Sequence, residues 1–232
     1  TEIYTLSLHY PLPISLDGLI KALAKLNQQG TKMNLTQNPN EVPHYGVYEI
    51  TLIADSNAHP IFDTAFTLTF TRPDKTTVTT EGFYTHKNTY KARAYADQIG
   101  NWIWTSKSNL SALNDQTGSF AVIPSDLKGQ LTIHPNDPYQ FAYQNGDWFL
   151  HIGDTGYRYV TDTEPEWQAY IDQASEAGFT KIRTLFCRGR GDVQALFTPD
   201  RTSLNLPYWQ EIDRRLTYAL NHHPHIIFKL IP

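Results

Sequence analysis

The 232-residue chain has a single cysteine, so it cannot form an internal disulfide framework. It lacks any run approaching the roughly 18 apolar residues of a membrane-spanning helix, and Thr1 opens neither a basic nor an apolar leader segment. Basic charge is not in excess, because 19 Lys and Arg stand against 23 Asp and Glu and are scattered along the chain. We therefore expect no membrane span and no nucleic-acid partner.

Aromatic residues are abundant, with 14 Tyr and 5 Trp. Two explanations stay open at this point. Aromatic side chains pack the cores of β-sheets, and they also stack on the flat faces of sugar rings.

The first 45 residues form a separate N-terminal extension. Apolar residues at Leu16, Leu19, Leu23 and Leu26 have helical spacing, and Gly30 is a natural stop. We expect a short helix over about Asp17 to Gln29, packed on a neighbouring sheet. The polar segment 31–44 is interpreted as a linker.

Residues 46–145 alternate between apolar and polar side chains with a period of two, which is typical of strands. The run from Ala65 to Thr71 alternates cleanly, and Arg72 to Lys75 predicts a turn into the next strand. Further Gly and Pro residues interrupt the pattern at the intervals found in sandwiches. These features predict an antiparallel, immunoglobulin-like β-sandwich domain.

After Gly146 the pattern changes to alternating strands and helices. We expect a strand at 148–153, a helix at 164–177, a strand at 180–187, a helix at 208–221 and a strand at 225–231. This order is typical of a parallel β/α domain. Residues 146–232 therefore predict an incomplete (β/α)8 TIM-type barrel, limited to its first three strands and two helices.

Several segments carry a family resemblance. Glu81-Gly-Phe-Tyr84, Tyr90-Lys-Ala-Arg-Ala-Tyr95, Gly100-Asn-Trp-Ile-Trp-Thr105 and Gly118-Ser-Phe-Ala-Val122 resemble the N-terminal β-sandwich domain of many bacterial glycoside hydrolases. The later segments resemble the opening of the catalytic barrel of apiosidase-like glycosidases; they are Phe149-Leu-His-Ile-Gly-Asp-Thr-Gly156, Tyr170 to Ile182, and Leu204-Asn-Leu-Pro-Tyr-Trp-Gln-Glu-Ile-Asp-Arg-Arg215.

The resemblance implies the N-terminal portion of a glycoside hydrolase that acts on a polysaccharide or oligosaccharide. Such barrels take their two catalytic carboxylates from later strands, so no residue of this chain is assigned a catalytic role. We expect the chain alone to be inactive, with no cofactor and no metal, and to associate with the remaining barrel half or with a second copy of itself. The resemblance to bacterial enzymes of polysaccharide breakdown also implies a bacterial protein, and we expect it to be secreted or periplasmic.

Three residues are candidate substrate contacts. Asp154 follows the first predicted parallel strand, where barrel active sites collect, although it could instead bind local backbone amides or the hydroxyl of Thr155. Tyr157 could stack on a sugar or simply pack. Arg188, after the second strand, could bind carboxylates of an acidic polysaccharide, or be a solvated charge in a glycine-rich loop.

Other residues favour structural roles. Cys187 has no His in a catalytic arrangement and is interpreted as a small buried group. The three histidines of the segment 222–225 lack the context of a metal site. Trp102 and Trp104 should share one face of a strand. That face is either core or an exposed platform for glycan, and the latter supports the alternative function, a non-catalytic carbohydrate-binding or structural β-sandwich module.

Overall fold

The computed structural model describes residues 40–55, 59–186 and 195–231. The helix expected over Asp17 to Gln29 therefore lies outside the described residues. The described residues form two compact units, one up to Leu127 and one from Lys128 onward. The sequence pattern predicts this division after residue 145.

The first unit consists of two β-sheets. Its elements are β1 (Glu41–Pro43), β2 (Val47–Ile53), α1 (Pro60–Asp63), β3 (Phe66–Thr71), β4 (Thr77–Glu81), β5 (Phe83–His86), β6 (Thr89–Tyr95), β7 (Gly100–Ser108), a 3-10 turn (Ser111–Leu113) and β8 (Thr117–Ile123). One sheet has the order β1-β8-β7-β3-β4 and the other the order β2-β6-β5. The predicted turn at Arg72 to Lys75 joins β3 to β4.

Alternating burial explains why these strands form a sandwich. Along β7, Trp102 and Trp104 are buried while Ile103 between them is exposed. Tyr48 of β2 stacks on Phe120 of β8 with ring centroids 3.7 Å apart, which joins the two sheets through one core. The two tryptophans do share a face, as expected. That face is core, so of the two alternatives the exposed Trp platform for glycan is the one that does not hold.

The sandwich is not wholly antiparallel, which corrects the predicted fold class. β1 pairs with β8 in parallel, with Val42 opposite Val122. The sequence predicts a linker here, because three residues are too few to show a period and Pro43 cannot donate to a ladder. At the edge of a sheet that missing donor is tolerated, and the amide of His44 continues the pairing by donating to the carbonyl oxygen of Ile123 at 2.7 Å.

The second unit combines a hairpin with a parallel sheet. Its elements are β9 (Leu131–His134), β10 (Asp137–Tyr143), β11 (Gly153–Thr155), α2 (Glu166–Glu176), β12 (Lys181–Leu185), α3 (Leu206–His222) and β13 (Ile227–Ile231). β9 and β10 pair with each other, and β11, β12 and β13 form a three-stranded sheet in that order, in which both pairings are parallel.

The strand expected at 148–153 begins only at Gly153, and the segment before it is largely exposed. Trp148 is 59% exposed and forms an isolated bridge to Ala142, while Leu150 is 66% exposed. The reason is that this segment pairs first with the hairpin, because the amide of Phe149 donates to the carbonyl oxygen of Phe141 at 3.0 Å. It joins the parallel sheet afterwards.

The two helices follow their apolar spacing. Trp167, Ile171 and Ala174 are buried along α2, and Ile212, Leu216 and Ala219 along α3, each set at positions i, i+4 and i+7. α2 ends where Gly178 adopts a φ of +79°. The amide of Gly178 donates to the carbonyl oxygen of Ser175 at 3.0 Å. No helix within the described ranges is long and apolar enough to cross a membrane.

Candidate functional site

The candidate site lies at the carboxyl ends of β11, β12 and β13. Parallel strands joined through helices direct these ends to one edge of the sheet, where ligands of α/β proteins commonly bind. Thr155, Leu185 and Ile231 are the last residues of the three strands. The residues at and just before this edge define the chemistry available to the site.

Asp154 is exposed and accepts two hydrogen bonds within the unit. Its Oδ1 accepts from the amide of Thr155 at 2.7 Å, and its Oδ2 accepts from the hydroxyl of Tyr170 in α2 at 2.9 Å. Burial raises the pKa of Tyr170, and the hydrogen bond to Asp154 and the negative charge of that carboxylate raise it further. The carboxylate thus connects the end of β11 to α2 while remaining open to solvent.

Two glycines allow this close approach. A Cβ at Gly156 would lie 2.5 Å from the hydroxyl oxygen of Tyr170, and a Cβ at Gly153 would lie 2.2 Å from the carbonyl oxygen of Lys181. Both positions exclude a larger side chain unless the neighbouring atoms move. Glycine is therefore required for steric reasons at both Gly153 and Gly156, the two positions that flank Asp154 and Thr155.

Tyr157 is 47% exposed and lies next to Arg183 of β12. Nη2 of Arg183 donates to the hydroxyl of Tyr157 at 2.8 Å, and Cζ of Arg183 lies 5.6 Å from the centroid of the tyrosine ring. The guanidinium holds the ring at the strand end and leaves part of it accessible.

Asp154 and Arg183 lie on opposite faces of the sheet. Asp154 is in register with the buried Ile182 and with Phe228, whereas Thr155 is in register with Arg183 and Lys229. Partners in register point to the same side of a sheet. Asp154 therefore lies on the face that carries Ile182, and Arg183 lies on the opposite face. Two of the predicted substrate contacts therefore have separate partners: Asp154 is hydrogen-bonded to Tyr170, and Tyr157 to Arg183.

The face that carries Arg183 is cationic. Lys181 and Lys229 lie on it as well, and all three side chains are partly buried. Nζ of Lys181 lies 2.8 Å from Nε2 of His151, which requires a neutral imidazole to accept from the ammonium. Burial lowers the pKa of His151, and the charge of Lys181 lowers it further.

Arg188 and Cys187 lie outside the described residues, so the predicted role of Arg188 stays a prediction. The histidines near the end of α3 have structural partners. Nε2 of His223 lies 2.7 Å from Oδ1 of Asp172, and the ring of His222 stacks on Tyr218 with centroids 4.2 Å apart. Over the part of the chain that the structure describes, His, Cys, Asp and Glu form no group of three that could hold a metal.

Sequence reasoning missed Arg183, Lys229 and Tyr170. A signal for the two cations was present: Lys181-Ile-Arg-Thr-Leu185 and Ile227-Phe-Lys-Leu-Ile231 alternate, whereas a parallel strand buried on both faces is uniformly apolar. Tyr170 gave no such signal, because its contact with Asp154 depends on how α2 packs.

Comparisons with known proteins address the sandwich and the fold. The family described as "Domain of unknown function (DUF5060)" matches residues 41–109, less than half of the chain. No curated protein matches the chain.

Among solved structures, a protein described as a "putative glycoside hydrolase" from Bacteroides vulgatus ATCC 8482 matches with a TM-score of 0.71 and 23% identity. The match covers 83% of this chain and 41% of that protein, so this chain spans less than half of its length. At this identity the likeness shows a shared fold. The ZIG-8–RIG-5 IG1–IG1 heterodimer covers 45% of this chain at 12% identity, and its TM-score of 0.27 carries no argument.

Proposed function

We propose that the chain is the N-terminal portion of a glycoside hydrolase of the apiosidase-like kind, acting on a polysaccharide or oligosaccharide. In this proposal the sandwich, which includes β1, precedes the first three strands and two helices of a (β/α)8 barrel, and the residues before β1 are an extension. The observation that carries it is the parallel unit β11-α2-β12-α3-β13, which follows a sandwich in the chain. The chain also shares the fold of a longer protein described as a "putative glycoside hydrolase".

The chemistry at the strand ends supports a partial site. Glycoside hydrolysis requires two carboxyl groups, about 5–10 Å apart, on either side of the scissile bond. At the described ends of β11, β12 and β13, Asp154 is the one carboxylate, and both of its oxygens already accept hydrogen bonds. Asp154 is therefore better suited to binding a sugar hydroxyl than to catalysis, and the catalytic pair is placed on later strands outside this chain.

Substrate contact is proposed for Asp154, Tyr157 and Arg188. Tyr157 is held at the strand end by Arg183 with part of its ring exposed, which suits stacking on a sugar. A polysaccharide substrate also fits a secreted or periplasmic location. The Trp pair of the sandwich does not favour the alternative of a non-catalytic binding module, because Trp102 and Trp104 are buried.

Intact-mass and gel analysis of the native protein tests the proposal. We expect the native protein to be a polypeptide heavier than 26.5 kDa, or to carry a tightly bound companion chain. We expect this native protein to hydrolyse plant or algal polysaccharides. The 232-residue chain assayed alone is the matched control and should release no reducing sugar. A single native species near 26.5 kDa, or hydrolysis by the 232-residue chain alone, would contradict the proposal.

A further inference from the structure

Three cations share one face of the parallel sheet. Lys181 and Arg183 are two residues apart in β12, so both point to the same side. Lys229 of β13 is in register with Arg183. Neighbouring strands are about 4.8 Å apart, so the backbone brings these positive charges together on one surface.

The opposite face of the same strands is core. Ile182 and Thr184 are fully buried and Leu230 is 8% exposed. On that side Phe228 packs on Tyr159 with ring centroids 5.2 Å apart, and Tyr159 in turn contacts Trp167 of α2. The cationic face is therefore the side of the sheet that is directed away from α2.

These cations have no carboxylate partner within the described ranges, unlike other buried cations of the chain. Lys91 pairs with Glu49, and Arg215 with Glu211. Partly buried positive charges are normally paired, because leaving water costs free energy that a counter-charge must offset. In addition, Nε of Arg183 is buried without a hydrogen-bond partner.

The positive charges on this face repel one another. Burial lowers the pKa of Lys181, and the charges of Lys229 and Arg183 lower it further. His151, the neighbour of Lys181, is not a counter-charge, since it accepts from the ammonium only when neutral. A bound anion would relieve this repulsion.

From this arrangement we infer that the face formed by Arg183 and Lys229, together with Tyr157, binds the carboxylate of a uronic-acid unit in a glycan. Arginine binds carboxylates through two parallel hydrogen bonds, and the lysine adds a second positive charge. The partly exposed ring of Tyr157 offers an apolar surface to the sugar ring, which a simple anion would not use. This inference rests on the proposed function and specifies its substrate class.

The test measures dissociation constants by NMR titration of the 232-residue chain at low ionic strength. D-galacturonate and D-glucuronate are compared with D-galactose and D-glucose, which lack the carboxylate. The acids are expected to bind at least about tenfold more tightly than the neutral sugars, because a hydrogen bond to a charged group contributes about that much. Added salt should weaken binding of the acids alone.

Variants locate the site. Arg183→Gln and Lys229→Gln should each weaken binding of galacturonate about tenfold, and Tyr157→Phe should weaken it less. Lys107→Gln, which removes an exposed lysine of the sandwich, is the matched control and should change nothing. Arg183→Lys keeps the charge without the planar fork, so intermediate binding would support the bidentate contact. Circular dichroism verifies that each variant is folded.

Several outcomes would overturn the inference. Equal dissociation constants for the acid and neutral sugars would show that the protein does not recognise the carboxylate. The proposed glycoside hydrolase function would be unaffected by that result. If acetate or a glutamate-containing peptide bound as tightly as galacturonate, the ligand of this face would be an anion other than a sugar acid. Absence of any binding would also refute the inference, whereas the proposed function is decided separately by the mass and hydrolysis measurements.

Discussion

Tyr159 and Arg215 exchange two hydrogen bonds. The hydroxyl of Tyr159 donates to the carbonyl oxygen of Arg215 at 2.8 Å, and Nη1 of Arg215 donates to the carbonyl oxygen of Tyr159 at 2.9 Å. Both side chains are buried, and Nε of Arg215 also donates to Glu211 at 2.7 Å. The pair joins the segment after β11 to α3, so it holds the strand end that carries Asp154 and Tyr157.

Tyr159→Phe should lower the free energy of unfolding by about 1 kcal/mol, because it removes one buried hydrogen bond and keeps the ring. Arg215→Met should cost more, about 2 kcal/mol, since it leaves the buried carbonyl oxygen of Tyr159 without its donor, while Glu211 keeps Arg214 as its partner. Urea denaturation measures both. Tyr139→Phe, at a site 91% exposed, is the control and should change nothing. An unchanged free energy for Tyr159→Phe would show that the hydroxyl makes no net contribution.

Glu49 provides the second prediction. Its Oε2 accepts from Nε of Arg93 at 2.7 Å, and its Oε1 accepts from Lys91, which is 5% exposed. Glu49→Gln should destabilise the sandwich by about 3 kcal/mol, because it leaves a buried ammonium without a counter-charge. Glu81→Gln, at an exposed position of β4, is the matched control. A loss no larger than in the control would mean that Lys91 finds water or another acceptor.

The same residue predicts a pH dependence. Burial alone would raise the pKa of Glu49, but the charges of Arg93 and Lys91 and the hydrogen bonds from them outweigh it and lower the pKa. A lowered pKa in the folded state means that the stabilisation is present above the unfolded value of about 4.3 and is lost as pH falls through the folded value. The difference between the wild type and Glu49→Gln should therefore shrink below about pH 4, as urea denaturation across pH would measure. A difference constant down to pH 2.5 would contradict it.

The sandwich was largely predictable because alternation is a local property. The same-face placement of Trp102 and Trp104 follows from their spacing alone. What alternation cannot decide is whether that face is core, since burial depends on the opposing sheet. Here Tyr48 of that sheet stacks on Phe120, the neighbour of Trp102. β1 escaped prediction for a related reason: three residues carry no period, and their pairing partner β8 lies about 80 residues later.

At the candidate site, the sequence predicts that Asp154 and Tyr157 lie at a strand end, but it does not predict which residues contact them. Arg183 reaches Tyr157, and Tyr170 reaches Asp154, only through the register of β11 with β12 and the packing of α2. A shift of one residue in that register would exchange the faces of every side chain. Such long-range alignment is not encoded in the spacing of any one segment.

Gly153 is predicted to be required for the pairing of β11 with β12. Gly153→Ala would place a Cβ 2.2 Å from the backbone carbonyl oxygen of Lys181, and the strands would have to separate. We expect a loss of about 1–3 kcal/mol, the usual range for overpacking. Faster hydrogen exchange of the amides of β12 would report the loss of pairing. Thr155→Ala in the same strand is the control, and comparable exchange in the two variants would contradict the steric argument.

Asp154 accepts a hydrogen bond from Tyr170 and is also proposed to bind sugar, and substitutions separate these two roles. If its carboxylate raises the pKa of Tyr170 beyond the effect of burial, Asp154→Asn should lower that pKa, while burial keeps it above the ordinary value for tyrosine. A difference titration of tyrosinate absorbance between variant and wild type measures this. Asp200→Asn is the control, because its carboxylate accepts from Thr198 and Thr202 instead. An unchanged titration in Asp154→Asn would mean that the carboxylate does not act on Tyr170.

Sugar binding by the same variants then decides the function of the carboxylate. Tyr170→Phe removes the hydrogen bond from α2 but leaves the negative charge of Asp154, whereas Asp154→Asn removes the charge. If Asp154 only positions the strand end, both variants should weaken binding of a neutral sugar to the same extent. If it accepts a hydrogen bond from a sugar hydroxyl, Asp154→Asn should weaken binding about tenfold more than Tyr170→Phe, because a hydrogen bond to a charged acceptor is lost.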